Sequence, residues 1–449
     1  MMKKTKKILI GVVLVVGLLL IVPFLIPMQT YLHEAEKIAS DKLGQPVTIG
    51  SGHLFLLPSP RVVASDIVVG KHQELQVKSL IVTPTIASLF SATKTIDLSI
   101  SKPTIKKAAL DFIAALNSSK SDSGEPTSVH IRQINVDELH LVWPDSKYPD
   151  LNLEATLTDA NTLQSANAET VDGKLTAKVS PEGDGQLIVL NANKWTMPVG
   201  MPLLIDKAKL EMHLKDSRLN IPNIDIALYG GKLTGDVKLD WAKNWRTSGN
   251  LHVDNLAVQQ PSKMVSKAVY LSGDLFGNGN FSSTAKEAGQ ITDNLQTNFQ
   301  FKVTDGVLHG LDLVKAASLI IKQSQSGGET QFDTFSGVLS SSGKQYNLHH
   351  INISSGLLAA TGQVKVKPNK TLDGDVVVDV KAGMGLAGIP LEVSGTVSNP
   401  IVLPSKAALA GALAGTAILP GVGTSIGAKL GSKAGGTIDK FKNLFGSKK

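Results

Sequence analysis

The stretch AKLEMHLK, residues 208–215, decides how this chain folds. Its apolar residues Ala208, Leu210, Met212 and Leu214 alternate one by one with charged or polar residues. Successive side chains of a β-strand point to opposite faces of a sheet, so this alternation predicts a strand with one apolar and one polar face.

The same alternation recurs along the chain, in residues 175–179, 233–239, 251–253, 299–303, 364–366 and 376–380. Strands buried on both faces would be continuously apolar, so the sequence predicts a mostly β protein whose sheet has one covered face. The 41 glycines and 20 prolines are scattered, which predicts many turns and short strands. Two helices are also expected, over residues 30–43, ending at Gly44, and over residues 103–116.

The alternation does not determine what covers the apolar face. A second sheet would give a sandwich or a barrel, and the pattern alone favours this interpretation. The alternative is a ligand, because a curved sheet with an aliphatic inner face forms a trough that acyl chains would fill. Leaving each Val or Leu exposed would forfeit roughly 1.5–3 kcal/mol of burial.

The N-terminus carries Lys3, Lys4, Lys6 and Lys7, followed by the uncharged residues 8–28. A helix of about 20 apolar residues is long enough to cross a bilayer. We therefore expect a retained transmembrane helix with the lysines in the cytoplasm and the rest of the chain across the membrane. A cleaved secretory signal is the alternative, but its apolar part is usually shorter and is followed by small residues.

Composition excludes several classes of function. The chain of 449 residues has no cysteine, so it contains no disulfide and no cysteine-ligated metal. Its net charge of +7 comes largely from lysines near the two ends, and aromatic residues make up only 5%. Nucleic-acid binding would instead require a basic stripe interleaved with aromatic residues. Basic ends are better explained by anionic lipid headgroups.

Several short segments resemble the AsmA family. They include a turn with Pro58 and Pro60 and a glycine-rich segment, and they read LGQPVTI at 43–49, LFLLPSP at 54–60, GVLHGLDL at 306–313, FSG at 335–337, GIP at 388–390 and GTVSNP at 395–400. The resemblance covers residues 8–105 and 299–404, whereas the middle is similar only in its strand pattern. One departure is Leu57, where the family often has Phe.

The resemblance implies an inner-membrane protein with its bulk in the periplasm. Its fold would be an N-terminal transmembrane helix, then an elongated, curved antiparallel β-sheet groove with a few short helices, then a Gly/Ala-rich helical tail. The resemblance favours the open groove over the sandwich. The predicted regions are a cytoplasmic tip (1–7), the anchor (8–28), an N-terminal AsmA-like region (29–117), a linker (118–128), the β-groove (129–404) and the tail (405–449).

The implied function is phospholipid handling: acyl chains bind in the groove, and lipid moves between the inner and outer membranes. The expected partners are phospholipids, the inner membrane and outer-membrane or envelope proteins, with no cofactor and no nucleic acid. The alternative is a non-enzymatic assembly or scaffold factor for outer-membrane proteins, which would engage them through sheet edges. The residues expected to line the groove are Leu54, Leu56, Leu210, Val237, Leu239, Phe299, Phe301, Val378 and Leu391.

No motif in the sequence argues for an enzyme. GTSIG at 423–427 matches a nucleophile elbow, but the last histidine, His350, precedes the serine. His349 and His350 are adjacent, so in a strand they would point to opposite faces. The tail has glycines four apart, which would lie on one helix face and let two backbones pack closely. These are Gly411, Gly415, Gly423, Gly427, Gly431 and Gly435.

Overall fold

A computed structural model describes residues 27–110, 129–143, 146–198, 200–317, 328–356, 358–380 and 386–410. The chain divides into two compact units, residues 1–202 and 203–449, which we call unit 1 and unit 2. The division falls inside the predicted β-groove region, 129–404. The region boundaries drawn from the sequence stay predictions.

Unit 1 contains the α-helix α1 (Met28–Leu43), a 3₁₀ helix (Ile86–Phe90) and two further helical residues, 109–110. Its strands are β1 (Val47–Phe55), β2 (Arg61–Val69), β3 (Leu75–Pro84), β4 (Lys94–Ser101), β5 (Thr104–Lys106), β6 (Val129–Trp143), β7 (Ser146–Lys147), β8 (Leu151–Leu157), β9 (Leu163–Thr170), β10 (Leu175–Glu182) and β11 (Gly185–Thr196).

The strands of unit 1 pair mainly with their neighbours in sequence. β1, β2 and β3 are antiparallel, and β4 and β5 both pair with β3. β6 then pairs with β4 and β5 in parallel, before β8, β9, β10 and β11 continue the sheet antiparallel. A parallel pair needs a long crossover connection, and the 22 residues of sequence between β5 and β6, 107–128, are enough for one.

α1 lies along β1 and runs in the opposite direction. The Ser40 hydroxyl accepts a hydrogen bond from the Val47 N–H at 3.0 Å, and Glu36 Oε1 accepts one from the Ile49 N–H at 2.6 Å. Leu32 then packs beside the glycine at position 52, where a Cβ would come within 2.7 Å of Leu32 Cδ2. α1 ends at Gly44 in the left-handed conformation, φ 62°, as the sequence predicts.

Unit 2 consists of twelve described strands, two short α-helices, α2 (Gln259–Val265) and α3 (Leu313–Ala317), and a helical segment at residues 406–410. 3₁₀ helices cover Ala288–Gln290 and Thr292–Asn294. The strands are β12 (Leu204–Lys215), β13 (Arg218–Leu228), β14 (Gly231–Asp240), β15 (Trp245–Ala257), β16 (Tyr270–Ala285), β17 (Gln296–His309), β18 (Glu329–Ser342), β19 (Gln345–Ser354), β20 (Leu358–Val366), β21 (Leu372–Val380), β22 (Leu386–Thr396) and β23 (Asn399–Pro404). Each pairs antiparallel with the next in sequence.

The register of unit 2 separates apolar from polar side chains completely along one line. Directly paired residues share a face, and one line of pairs crosses β13 to β23 without a polar side chain. We call it the apolar row: Ile224, Gly235, Leu251, Gly279, Phe299, Leu339, Leu348, Val364, Gly374, Val393 and Val402. Neighbouring residues form a polar row on the other face: Asp236, Asn250, Asn280, Asn298, Ser340, Asn347, Lys365 and Asp373.

β-bulges in alternate strands keep the apolar residues on one face. Asn255 in β15, Asp305 in β17 and His350 in β19 adopt left-handed backbone conformations, with φ of 52°, 51° and 52°. The register shifts at these places, for example between Leu348 and Ile351. A bulge inserts one extra residue and strengthens the local twist. Apolar residues three apart therefore face the same way.

The main core of unit 2 lies on the apolar face of β17 to β23. It includes Val378 and Ile389, each 0% exposed, and Leu391, 1% exposed. α3 packs on this face through Leu313 and Ala317. This end of the apolar face is therefore covered by a helix of the same unit.

The predicted fold class needs correction. The described chain is mostly β, but no helix within the described ranges is both long and apolar enough to cross a membrane. α1 carries charged residues along its length, and the predicted anchor, residues 8–28, lies outside the described residues except for Pro27 and Met28. The sheet was predicted to be antiparallel throughout, whereas β6 forms two parallel pairings. Of the predicted helical tail, residues 406–410 are helical and 411–449 lie outside the described residues.

Candidate functional site: an apolar cavity on the sheet of unit 2

The apolar face of unit 2 contains a cavity of about 420 Å³. This volume lies within the range of about 300–1,000 Å³ that is usual for small-molecule sites. The side chains that line it come from the loops and helices at one end of the sheet and from β16 to β23. They are Ser262, Val265, Ser266, Val269, Tyr270, Leu271, Leu308, Leu311, Leu313, Phe335, Leu348, Ile351, Ile353, Val364, Val366, Leu372, Val376, Val393, Val397, Pro400 and Val402.

Among the described residues, no charged side chain lines this cavity, and its two serines are engaged by the backbone. The Ser262 hydroxyl donates to the carbonyl oxygens of Gln259 and Leu271, at 3.0 and 2.8 Å, and accepts from the Leu271 N–H at 3.1 Å. The Ser266 hydroxyl accepts from the Val269 N–H at 3.1 Å. An apolar ligand would thus meet aliphatic and aromatic carbon almost everywhere in the cavity.

The sheet curls around the cavity. Leu271 in β16 and Val402 in β23 line the same space, although six strands separate β16 from β23 in the order of pairing. Val265 of α2 and Leu313 of α3 complete the wall. The apolar row reaches the cavity through Leu348, Val364, Val393 and Val402, so the row and the cavity form one continuous apolar surface.

Aromatic rings cover the glycines of this surface. A Cβ on Gly279 would come within 2.9 Å of the Phe299 ring, and one on Gly306 would come within 2.5 Å of the Phe332 ring. Phe335 stacks edge-to-face on Phe301 and Phe332, with ring centroids 5.4 and 5.8 Å apart. The glycines thus let large side chains lie flat against the sheet.

The residues predicted to line the groove are placed in three ways, and their role in lipid binding stays a prediction. None of them lines the cavity. Val378 and Leu391 are fully buried in the core, and Phe301 packs against that core. Phe299 belongs to the apolar row, and Val237 and Leu239 are half-buried on the face of β14 that carries this row. The other three are also half-buried: Leu210 in β12, and Leu54 and Leu56 in unit 1.

Other residues singled out in the sequence lie away from the cavity. Pro58 and Pro60 lie in the turn between β1 and β2, and the Leu57–Pro58 peptide bond is cis. Gly411, Gly415, Gly423, Gly427, Gly431 and Gly435, together with the GTSIG segment, lie outside the described residues. The His349 and His350 rings are 4.9 Å apart, because His350 occupies a bulge and departs from strict alternation.

Titratable groups with shifted pKa values also lie outside the cavity lining. A hydrogen bond from the Ile49 N–H, aided by His33, lowers the pKa of Glu36. Hydrogen bonds from Thr170 and Lys174 lower the pKa of Asp172 to about 2. Within the described part of the chain, no cluster of His, Asp and Glu could hold a metal ion. The chemistry of the cavity is therefore that of apolar contact.

The cavity residues missed from the sequence had a readable signal. Ile351 and Ile353 follow Leu348 with the spacing that a bulge produces, and strict alternation assigns Leu348 and Ile351 to opposite faces. The segment LHHI at 348–351 marks this shift, because His350, just before the second apolar residue, tolerates the left-handed conformation of a bulge. What the sequence did not contain was the curl that brings β16 and β23 together.

The fold and the site together define a class: β-sheet proteins that present one continuous apolar face. The family model for the AsmA family matches residues 97–343, more than half of the chain. The chain belongs to the AsmA family. The matched range includes the middle of the chain, where the quoted motifs are absent and the sequence resembles the family only in its strand pattern. No match was found among curated proteins or solved structures.

Membership agrees with part of the expected function. The AsmA family is generally a non-enzymatic, envelope-associated family connected with lipid transport. The large β-sheet is compatible with lipid transport or an envelope function.

Proposed function

We propose that unit 2 binds the acyl chains of phospholipids along the apolar row and in the cavity at its end. The observation that carries this proposal is the row itself, which crosses eleven strands without a polar side chain. With strands about 4.8 Å apart, its ten steps follow the sheet for roughly 50 Å. Each methylene buried there would contribute about 0.8 kcal/mol.

The proposed action is passive. An acyl chain lies on aliphatic carbon while the headgroup stays in water, so the protein lowers the cost of moving lipid between the inner and outer membranes. No covalent step, cofactor or metal takes part. The cavity favours this proposal because an apolar cavity of this kind stays dry and accepts apolar guests. The proposed place of action is the cell envelope, with the bulk of the chain in the periplasm at the inner membrane.

A matched pair of substitutions in β21 tests the proposal. Leu372→Trp adds a large ring to a half-buried residue of the cavity wall. Val377→Trp adds the same ring to the opposite face of the strand, where Val377 is 39% exposed. The full chain and both variants are purified gently, and bound phospholipid is quantified by mass spectrometry. We expect Leu372→Trp to retain much less phospholipid than the other two proteins.

Two results would count against the proposal. Equal amounts of lipid in both variants would show that the cavity is not the binding site. A chain that carries no phospholipid, yet cross-links to an outer-membrane β-barrel protein, would favour the assembly or scaffold function instead. Circular dichroism of each variant checks that the sheet is intact.

The proposed location has its own measurement. In spheroplasts, a protease added from outside should degrade unit 2, and the protein should fractionate with the inner membrane. Full protection of unit 2 from the protease would contradict a periplasmic location.

A further inference from the structure

A hydrogen-bonded loop in unit 1 exposes three large apolar side chains. The 3₁₀ helix between β3 and β4 carries Ile86, Leu89 and Phe90, which are 64%, 37% and 92% exposed. Phe90 is the most exposed large hydrophobic residue in the described part of the chain. Single exposed apolar residues are ordinary on protein surfaces, but three on one short helix indicate a contact surface. We call residues 85–94 the contact loop.

Hydrogen bonds hold the contact loop in this conformation. Ser88 is buried, and its hydroxyl lies 2.9 Å from the Thr85 carbonyl oxygen and 3.1 Å from that of Thr95. Lys94 Nζ donates to the carbonyl oxygens of Ser88, Leu89 and Ser91, at 3.4, 2.9 and 2.7 Å. The carbonyl groups of Ser88, Leu89 and Ser91 are therefore already paired, which lowers the cost of bringing them toward an apolar medium.

The contact loop shares its end of unit 1 with the β1–β2 turn. Phe55 pairs with Arg61 across that turn, and β3 runs antiparallel to β2, so the β3–β4 connection lies at the same end. Phe55 is itself exposed, and the Arg61 guanidinium lies 4.9 Å from its ring centroid. Val129, the exposed first residue of β6, pairs with Lys94 at this end as well.

The start of α1 points to this same end. Its contacts with β1 proceed from Ser40 at Val47, through Glu36 at Ile49, to Leu32 beside Gly52, so Met28 lies toward the β1–β2 turn. Tyr31, 59% exposed, projects from the first turn of α1. The twenty residues that precede Met28, 8–27, contain no charged side chain.

The charges of the contact loop and of β3 suit an anionic lipid surface, although farther along this end of unit 1 the exposed Asp159 carboxylate lies 3.6 Å from His130 Nε2. Residues 75–96 contain no carboxylate. Asp97, the next one along the chain, is engaged by the Arg132 guanidinium. Arg61 and Lys94 flank the apolar side chains, and long basic side chains keep their charge at headgroup level while their stems lie along apolar surface.

From this combination we infer that the end of unit 1 formed by the contact loop and the β1–β2 turn rests on a phospholipid bilayer, with Ile86, Leu89 and Phe90 inserted among the acyl chains. Lys94 lies at the level of the headgroups, and Tyr31 occupies the interface, where amphipathic rings are favoured. A bilayer explains why an uncharged segment joins α1 at this end. A protein partner would not require that. The inference concerns unit 1 alone and stands apart from lipid binding by unit 2.

The chain has no cysteine, so a single introduced thiol can carry a fluorescent probe. Ala92→Cys places the probe at an exposed site in the contact loop, and Lys71→Cys places it at an exposed site in the β2–β3 turn, at the opposite end of unit 1. The full-length protein is reconstituted in vesicles of phosphatidylethanolamine and phosphatidylglycerol that contain spin-labelled lipid. We expect quenching several-fold stronger at position 92 than at position 71, with blue-shifted emission at position 92.

A second variant separates insertion from simple proximity. Phe90→Asp, added to Ala92→Cys, should reduce quenching at position 92 to the level seen at position 71. Because Phe90 is exposed, this change should leave the circular dichroism spectrum unaltered. Equal quenching at the two positions, or quenching at position 92 that Phe90→Asp does not change, would overturn the inference. If the emission at position 92 shows that the probe is in water when the vesicles contain no other protein, the inference fails and the contact loop is assigned to a protein partner.

Discussion

The apolar face of unit 2 is one surface, but its two halves are in different states. Along β19 to β22 it is closed, with Ile353, Val378 and Ile389 buried beneath the curled sheet and α3. Along β13 to β15 burial is only partial: Ile224, Leu228 and Val253 are buried, whereas Leu219, Val237 and Leu251 are half-buried. The alternation in sequence is the same in both halves. What differs is the cover: α3 packs on the apolar face of the closed half, whereas much of the apolar face of β13 to β15 is half-buried.

The largest expected difference between the two halves comes from adding a charge. Val378→Asp places a carboxylate in a fully apolar core without a partner, and we expect a loss of about 4 kcal/mol or more in the free energy of unfolding. Val237→Asp, at a half-buried site, should cost about 1–2 kcal/mol and leave the protein folded. Denaturant titration followed by circular dichroism measures both. Equal losses would show that both halves are closed cores and would remove the basis for a lipid groove.

The sequence assigned Val237 and Phe301 the same role, as residues that line the groove. The structure divides them. Phe301 packs on Phe335 and on the main core, so Phe301→Asp belongs with Val378→Asp.

A smaller effect is expected where the sheet and a ring approach closely in the closed half. In Gly306→Ala the new Cβ would lie 2.2 Å from the Ser272 carbonyl oxygen and 2.5 Å from Phe332 Cζ. We expect the free energy of unfolding to fall by about 1–3 kcal/mol, as overpacking usually does. Gly289→Ala, with no atom within 4 Å of the new Cβ, should change it by less than about 0.5 kcal/mol. Thermal melts of the two variants measure these changes. If Gly306→Ala costs no more than Gly289→Ala, the closed half tolerates expansion and the close packing described for it is incorrect.

The smallest effect concerns α1, which a titratable side chain, Glu36, joins to β1 through a hydrogen bond. The hydrogen bond from the Ile49 N–H, and then the one with His33, lowers the pKa of Glu36. The charged carboxylate therefore stabilises the folded state above the ordinary glutamate pKa. This stabilisation is lost as the pH falls through the lowered pKa. We expect Glu36→Ala to cost about 1 kcal/mol at neutral pH and progressively less in acid. Stability measured from neutral to acidic pH checks this. A cost that does not change with pH would mean that the carboxylate charge has no role.

The sequence predicted the strands well because alternation is a local property of the chain. Residues 208–215 and 233–239 form strands as expected, and α1 ends at Gly44. Of the expected helix at 103–116, residues 104–106 instead form the strand β5, since they pair with both β3 and β6; residues 109–110 are helical, and 111–116 lie outside the described residues. Pairing partners distant in sequence override local preference there.

The candidate site was harder to predict, for two physical reasons. The bulges at Asn255, Asp305 and His350 change the parity of the residues that follow, so alternation assigns some side chains to the wrong face. The curl of the sheet then decides which apolar residues become core and which line a cavity, and curl arises from contacts between strands far apart in sequence. Val378 and Val376 therefore look equivalent in sequence, yet only Val376 lines the cavity.

The recurrence of bulges in alternate strands has a consequence for how such a protein can change its length. After two successive antiparallel strands the chain is again at the same end of the strands and runs in the same direction. A single added strand would instead leave the next strand needing a crossover connection. The hairpin, with its one bulge, is thus the smallest segment that can be duplicated or deleted without turning the apolar face toward water. Related chains would then differ in reach by whole hairpins, and the apolar row would lengthen or shorten by two residues at a time.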